Sequence, residues 1–203
     1  MPSSSGRTGG IASGSEPRIL SNRIEIHESV FVAPGAVIVG DVTVGSGSSI
    51  WYGCVLRGDL EPIVVGEETN IQDLTLVHVD EGLAARIGSR VTVAHRCVIH
   101  GCEVADEALI GMGAVLLSGC RVGRGALVAS GAVVREGFQV PDGAIAAGVP
   151  AKIRGEVDPA LRQRILRGVA VYRVCAAAFL RGAVGGGPYG GGRPPGTTGW
   201  SAC

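Results

Sequence analysis

Residues 104–145 repeat every six positions and read VADEAL, IGMGAV, LLSGCR, VGRGAL, VASGAV, VREGFQ and VPDGAI. Each hexad starts with Val, Ile or Leu, the fifth slot is mostly small, and glycine recurs in the fourth. A period of six fits neither the 3.6-residue period of an amphipathic helix nor the two-residue alternation of a half-buried strand. Fixed periods over many units are typical of solenoids, in which each unit packs only on its neighbours.

The same register extends back to Val32, with interruptions at residues 62–64 and 80–86. Of nineteen hexad starting positions, eighteen are Val, Ile or Leu, and Ala146 is the exception. The pattern resembles the left-handed parallel β-helix proteins, in which three hexads form one triangular coil and the first residue of each hexad points inward. The resemblance implies an all-β solenoid over residues 18–157, a left-handed parallel β-helix with just over six coils.

The segments that flank the repeat differ from it in composition. Residues 1–17 and 182–203 are rich in Ser, Gly and Pro, and we predict that they are disordered tails. Residues 158–181 are predicted to form a C-terminal α-helix, because Asp158 is a favourable N-cap, Pro159 suits the first helical position and apolar residues follow at helical spacing. We expect this helix to pack on the solenoid and cover its open C-terminal end.

Composition excludes several classes of protein. The 203 residues contain 18 basic and 18 acidic side chains, and this zero net charge disfavours a nucleic-acid binder. No apolar run reaches the 18 or more residues of a membrane span, so we expect no membrane association. The six cysteines form no CxxC pair, and Cys54, Cys97 and Cys120 occupy the small fifth slot. We therefore expect reduced thiols and a cytoplasmic location.

Three of the four histidines, His78, His95 and His100, lie within 23 residues. His78 and His100 both occupy the second slot of the third hexad in successive coils, so their imidazoles should stack on one outer face. Neighbouring strands lie about 4.8 Å apart, which suits two ligands of one metal ion. His95 belongs to the preceding face and should point away from the other two within one chain. The spacing predicts a homotrimer with metal sites between chains; solvent-exposed histidines on a flat face are the alternative.

A polar cluster lies upstream of the histidines, in the segments LRGDLE and TNIQD. It contains Arg57, Asp59, Asn70, Gln72 and Asp73. Arg57 and Gln72 share the second slot with two of the histidines. Because the hexad pattern does not require these polar residues, we predict that they surround the metal ligands and orient them.

Together, the repeat, the polar cluster and the histidines resemble a specific family, the γ-class carbonic anhydrases. The resemblance covers residues 24–182 and is carried by SSIWYGCVLRGDL, VGEETNIQDLTLVHV and VTVAHRCVIHGC. It implies a homotrimer that binds Zn²⁺, or Fe²⁺ or Co²⁺, through the three histidines. It also implies an intersubunit pair between Arg57 and Asp59, and places Asn70 and Gln72 near the metal-bound water. The implied activity is the reversible hydration of CO₂ to bicarbonate by a hydroxide on the metal.

The sequence departs from the archaeal prototype of that family at the positions that move protons. Leu60 follows Asp59 where the prototype has a glutamate, and Glu61 comes one position later. The segment VDEGLAAR is short and lacks the prototype's long acidic loop, although Asp80 and Glu81 are candidates to replace it. We therefore expect the removal of protons to limit turnover.

Two other functions are compatible with the same repeat. A hexapeptide acyltransferase or CoA thioesterase would use a lone histidine as base at the subunit interface, without a metal triad. A non-catalytic trimeric scaffold subunit would retain the site without using it. Three histidines in matching slots favour the metalloenzyme over both.

Overall fold

The structure is a computed structural model that describes residues 23–182. The tail predicted at residues 1–17 lies outside these residues, as does the tail at 182–203 except for Gly182. Within the described part, nineteen short strands and one helix form a parallel β-solenoid of about seven turns. The count exceeds the expected six coils because β1 (Ile24–Ile26) adds a strand before the repeat begins at Val32.

The strands stack in three columns that form the faces of the solenoid. The histidine face contains the first halves of β3 (Val37–Val44) and β5 (Val55–Val65), then β7 (Leu76–His78), β10 (Val98–His100), β13 (Val115–Leu116) and β16 (Val133–Val134). The open face contains β1, the second halves of β3 and β5, β8 (Ala85–Ile87), β11 (Glu103–Val104), β14 (Arg121–Val122) and β17 (Gln139–Val140).

The third column, the helix face, ends in an antiparallel pair. It contains β2 (Phe31–Val32), β4 (Ser49–Ile50), β6 (Asn70–Ile71), β9 (Thr92–Val93), β12 (Leu109–Ile110), β15 (Leu127–Val128), β18 (Ala144–Ala147) and β19 (Lys152–Glu156). The last two strands pair antiparallel, so the chain reverses after the final coil and leads into the helix.

The first residues of the hexads form the core. Seventeen of the nineteen starting positions are at most 3% exposed, Ala146 among them. The exceptions are Ile38, which is partly buried, and Val32, which is 37% exposed. Val32 pairs with Ile50 on one side only, because β2 is the first strand of the helix face in the described residues. Its side chain is therefore exposed at the end of the stack.

The fourth slot explains why glycine recurs in the repeat. In fourteen hexads this residue has a positive φ, and in nine of these it is glycine, for which the left-handed region carries no steric cost. The other five are Glu68, Leu74, Arg90, Arg96 and Glu107, with φ between 51° and 62°. Each turn of the solenoid thus requires a left-handed residue at a corner, whichever side chain is present.

The helix α1 (Pro159–Leu180) starts at the predicted cap, where Asp158 accepts the backbone N–H of Leu161 at 2.7 Å. It packs along the helix face, against β2, β4, β6 and β9. Phe179 lies with its ring centroid 5.2 Å from Phe31 and 5.4 Å from Trp51. The expectation that the helix covers the C-terminal end is wrong, because its aromatic partners lie in the first coils. No helix in residues 23–182 is long and apolar enough to cross a membrane.

Candidate metal centre

His78 and His100 lie side by side on the histidine face. Each is the last residue of its strand, and the register of β7 and β10 pairs them directly. His78 Nδ1 and His100 Nε2 are 3.1 Å apart. Two nitrogens bound tetrahedrally to one Zn²⁺ at about 2.0–2.1 Å would be about 3.3–3.4 Å apart. The pair therefore has close to the spacing of two ligands of one metal ion.

Asp59 orients the imidazole of His78. Its Oδ1 lies 2.9 Å from His78 Nε2, and because a carboxylate only accepts hydrogen bonds, this nitrogen carries the proton and Nδ1 keeps its lone pair. Burial favours a higher pKa for Asp59, but hydrogen bonds from His78, the backbone and Arg57 outweigh it and hold the pKa below its ordinary value. Arg57, on the same strand, contacts the other carboxylate oxygen. The resemblance implied that Arg57 and Asp59 pair between subunits, but in the structure they pair within one chain.

His95 lies in the turn between β9 and β10. Its Nδ1 is 2.7 Å from Asp73 Oδ2, so this nitrogen donates to the carboxylate and Nε2 keeps its lone pair. The hydroxyl of Tyr172 on α1 lies 3.5 Å from Nε2. His95 thus has partners different from those of His78 and His100.

Asn70 and Gln72 are buried on the helix face. Gln72 Nε2 donates to Asn70 Oδ1 at 2.9 Å, and Asn70 Nδ2 donates to Thr92 Oγ1 at 3.0 Å. Gln72, His95 and Tyr172 line a cavity of about 480 Å³ between α1 and the solenoid. The structure therefore brings Asn70, Gln72 and His95 together on one side of the chain.

The seven predicted site residues divide into two groups on different faces. Arg57, Asp59, His78 and His100 lie on the histidine face or at its corner, whereas Asn70, Gln72 and His95 follow the strands of the helix face. Within residues 23–182 of one chain, no group of three or more His, Cys, Asp or Glu side chains is arranged to hold a metal ion. His95 therefore does not share a site with His78 and His100 within this part of the chain.

Sequence reasoning missed the partners of two histidines. Ser118 bonds His100 Nδ1 at 2.9 Å, and Tyr172 approaches His95. Asp73 was predicted as a member of the polar cluster, but not as the partner of His95 in particular. The available signal for Ser118 was the register, because it lies one coil beyond His100, whereas Tyr172 comes from a helix whose position the repeat does not determine.

The five cysteines within residues 23–182 are not arranged as metal ligands. Cys54, Cys97, Cys102 and Cys120 are free and almost fully buried in the core. Burial raises the pKa of Cys97 to about 11, and a hydrogen bond with Cys120 together with burial raises the pKa of Cys102 well above its ordinary value. Because the thiolate is the metal-binding form, the raised pKa values of Cys97 and Cys102 disfavour metal binding by these two residues at neutral pH.

Comparisons with known proteins identify the repeat and its relatives. A model of the bacterial transferase hexapeptide (six repeats) matches residues 23–58 and 101–136. The chain is similar to γ carbonic anhydrase 2 of Arabidopsis thaliana mitochondria, with 58% identity over 98 residues, 45% of this chain and 35% of that one. A probable carbonic anhydrase of Methanocaldococcus jannaschii is 48% identical over 91 residues, 45% of this chain and 57% of that one.

Both curated relatives are longer than the part that matches. The chain spans 35% of the Arabidopsis protein and 57% of the Methanocaldococcus protein. A solved structure is matched more completely. The crystal structure of a putative acetyltransferase of Bacillus cereus has a TM-score of 0.78 and 34% identity, over 79% of this chain and 93% of that one. The chain belongs to the hexapeptide-repeat proteins, and nearly half of it is similar to γ-class carbonic anhydrases.

Proposed function

We propose that the chain catalyses the reversible hydration of CO₂ to bicarbonate, as a homotrimer with a divalent metal ion at each subunit interface. In this proposal His78 and His100 of one chain and His95 of the next hold the metal. The observation that carries it is the 3.1 Å separation of His78 Nδ1 and His100 Nε2, with the other nitrogen of His78 held by Asp59. The identity to carbonic anhydrases supports the same reaction.

The donor set fits Zn²⁺. Each of the three histidines has an oxygen partner on one ring nitrogen: Asp59 for His78, Asp73 for His95 and Ser118 for His100. Such partners are typical of histidines that bind a metal through the other nitrogen. When bound by three neutral imidazoles with one position open, Zn²⁺ lowers the pKa of water to about 7 and supplies the nucleophile for CO₂. Fe²⁺ and Co²⁺ also bind imidazole and are the alternatives.

An apolar ladder supports contact with a second chain on the histidine face. The outward residues next to the histidine column are aliphatic in six successive coils: Val37, Val55, Leu76, Val98, Val115 and Val133. Val37 is 48% exposed and Leu76 is 37% exposed in the single chain. Contiguous apolar surface of this kind marks an interaction site. A copy of the chain is the partner that brings the missing His95.

We propose that Gln72 orients the reactants. Its amide N–H donates to Asn70 Oδ1, which leaves Gln72 Oε1 to accept a hydrogen bond from water or bicarbonate. The cavity that Gln72 shares with His95 also contains the apolar side chains of Leu109 and Met112. An apolar wall suits CO₂, and the amide oxygen directs the attacking water towards it.

The alternative activity is acyl transfer, because the matched Bacillus cereus structure is described as a putative acetyltransferase. An acyltransferase of this fold needs one histidine base, whereas here two imidazoles are stacked, with His78 Nδ1 and His100 Nε2 3.1 Å apart. This stacking favours the metalloenzyme.

We also propose a cytoplasmic location. The five described cysteines are free thiols, even Cys102 and Cys120, whose side chains are within hydrogen-bonding contact of each other.

The test measures metal content, mass and CO₂ hydration on the same purified protein. We expect a trimer with about one metal ion per chain and measurable hydration. His78→Ala and His100→Ala should each lose the metal and the activity, while His27→Ala, which changes an exposed histidine bonded to Ser29, should keep both. A metal-free protein that turns over acetyl-CoA would support acyl transfer instead.

A further inference from the structure

A short hydrogen-bonded relay connects His100 to the loop that interrupts the repeat. His100 Nδ1 lies 2.9 Å from Ser118 Oγ, and Ser118 Oγ lies 3.1 Å from Asp80 Oδ2. Ser118 belongs to the turn after β13, one coil beyond His100. Asp80 follows β7, where its backbone forms an isolated bridge with Leu83. The relay therefore spans three consecutive coils at one corner of the solenoid.

The chemistry of the three groups determines the direction of both hydrogen bonds. An ionised carboxylate has no proton to donate, so Asp80 accepts and the Ser118 hydroxyl donates to it. With its single proton used, the Ser118 oxygen can only accept from His100. His100 Nδ1 must then carry the ring proton, which leaves the lone pair of a neutral ring on Nε2. That nitrogen is the one that lies 3.1 Å from His78 Nδ1.

We propose that Asp80, acting through Ser118, is a positioning residue that sets the tautomer of His100 and thereby the metal affinity of the site. The proposal rests on the metal site proposed above and assigns a role to the interruption of the repeat at residues 80–86. Asp59 fixes His78 in the matching way, so both lone pairs point into the same gap. Two facing acceptors repel each other, and a cation between them removes that repulsion.

Loss of Asp80 allows a competing state. Without an acceptor for its proton, the Ser118 hydroxyl is free to rotate and donate to His100 Nδ1. The ring proton then resides on Nε2 and donates to His78 Nδ1, closing the gap with an internal hydrogen bond. A metal ion must break this bond and expel that proton before it binds.

The test compares the zinc affinity of metal-free trimers in competition with a chromophoric chelator. We expect Asp80→Ala and Ser118→Ala to weaken zinc binding about 10- to 100-fold, the range for partners of ligand histidines. Ser118→Thr, which keeps the hydroxyl, should restore most of the affinity. Two matched controls should bind zinc like the wild type: Glu81→Gln, the neighbouring acid, and Ser130→Ala, an exposed serine in the same third slot of another hexad.

A second measurement reads the tautomer without any metal. In ¹⁵N NMR of the metal-free protein, we expect His100 to be protonated at Nδ1 in the wild type and at Nε2, or mixed, in Asp80→Ala. Unchanged zinc affinity with Nδ1 still protonated in Asp80→Ala would overturn the inference. If the wild-type trimer binds no zinc, or if His78→Ala and His100→Ala bind it as tightly, the proposed function itself fails.

Discussion

The coils before and after residue 104 follow the same six-residue repeat but differ in their interruptions and in the predicted site residues that they contain. Between residues 56 and 103 the hexads are interrupted twice, and this stretch contains all seven predicted site residues. From 104 to 146 the hexads run without interruption. In the outward column of the histidine face, Arg57, His78 and His100 are followed by Leu117. The polar side chains of this column therefore end at the boundary.

The two stretches also differ at the corners. From residue 110 onward every left-handed fourth slot is glycine, whereas four of these corners in residues 56–103 and the first one after residue 104 have a side chain: Glu68, Leu74, Arg90, Arg96 and Glu107. A residue with a side chain costs about 1–2 kcal/mol in this region. The coils from residue 110 onward therefore avoid this cost, while the site coils tolerate strain and interruptions that bring polar residues to the surface.

Removing a metal ligand should give the largest difference between the two stretches. His100→Ala is expected to lose the metal and to lower kcat/KM by about 10³-fold, the several kcal/mol that the metal supplies. Leu117→Ala, the next rung of the same column, should keep the metal. Metal analysis and CO₂ hydration on both variants check this, and equal losses in the two would show that the boundary has no functional meaning.

Core truncation should affect stability equally in both stretches and metal binding in only one. Ile99 and Ile110 are both 0% exposed, and replacing either by alanine should cost about 2–5 kcal/mol of unfolding free energy. Ile99→Ala should also weaken zinc binding, because it loosens the strand that ends in His100. Denaturant unfolding and chelator competition separate the two effects; an Ile110→Ala variant with weakened zinc binding would contradict the division.

Loss of the carboxylate beside His78 should have a smaller effect on the same site. Asp59→Asn no longer fixes the proton on His78 Nε2, and we expect about 10- to 100-fold weaker zinc binding. Because Arg57 also loses its charged partner within the same chain, the free energy of unfolding should fall, whereas trimer dissociation should change little. Chelator competition, denaturant unfolding and analytical ultracentrifugation measure these quantities; a variant that matches the wild type in zinc affinity and unfolding would show that the carboxylate is merely solvated.

The corner positions should give the smallest effects and opposite signs in the two stretches. Gly131→Ala, in the regular coils, forces a side chain into the left-handed region and should destabilise the protein by about 1 kcal/mol. Arg96→Gly, in the site coils, relieves such strain and should be neutral or stabilising by a few tenths of a kcal/mol, after the added entropy of the unfolded chain. Thermal unfolding of both variants checks the signs.

The sequence was sufficient for the core because each hexad determines which residue faces inward. This rule held at Ala146 and failed at Val32, where the missing neighbour rather than the residue type leaves the side chain exposed. It also predicted the helix and its cap at Asp158. The helical spacing of its apolar residues indicated which side of the helix is apolar, but not which part of the solenoid that side would pack against.

The site was predictable where the register alone brings residues together. His78 and His100 share a slot in successive coils, so their pairing follows from counting. Ser118 and Asp80 were not predicted as partners, because their contact crosses an interruption whose path the repeat does not specify. Tyr172 approaches His95 from α1, and no local pattern could have indicated this contact.

Complementation between two inactive variants tests the shared metal site most directly. His95→Ala keeps the His78–His100 pair, and His100→Ala keeps His95, so neither homotrimer has a complete site. When the two are unfolded together and reassembled in equal amounts, an intersubunit site should form at about one quarter of the interfaces of a cyclic trimer. The account predicts recovery of about one quarter of the wild-type metal content and hydration activity. No recovery in trimers shown to be mixed would contradict it.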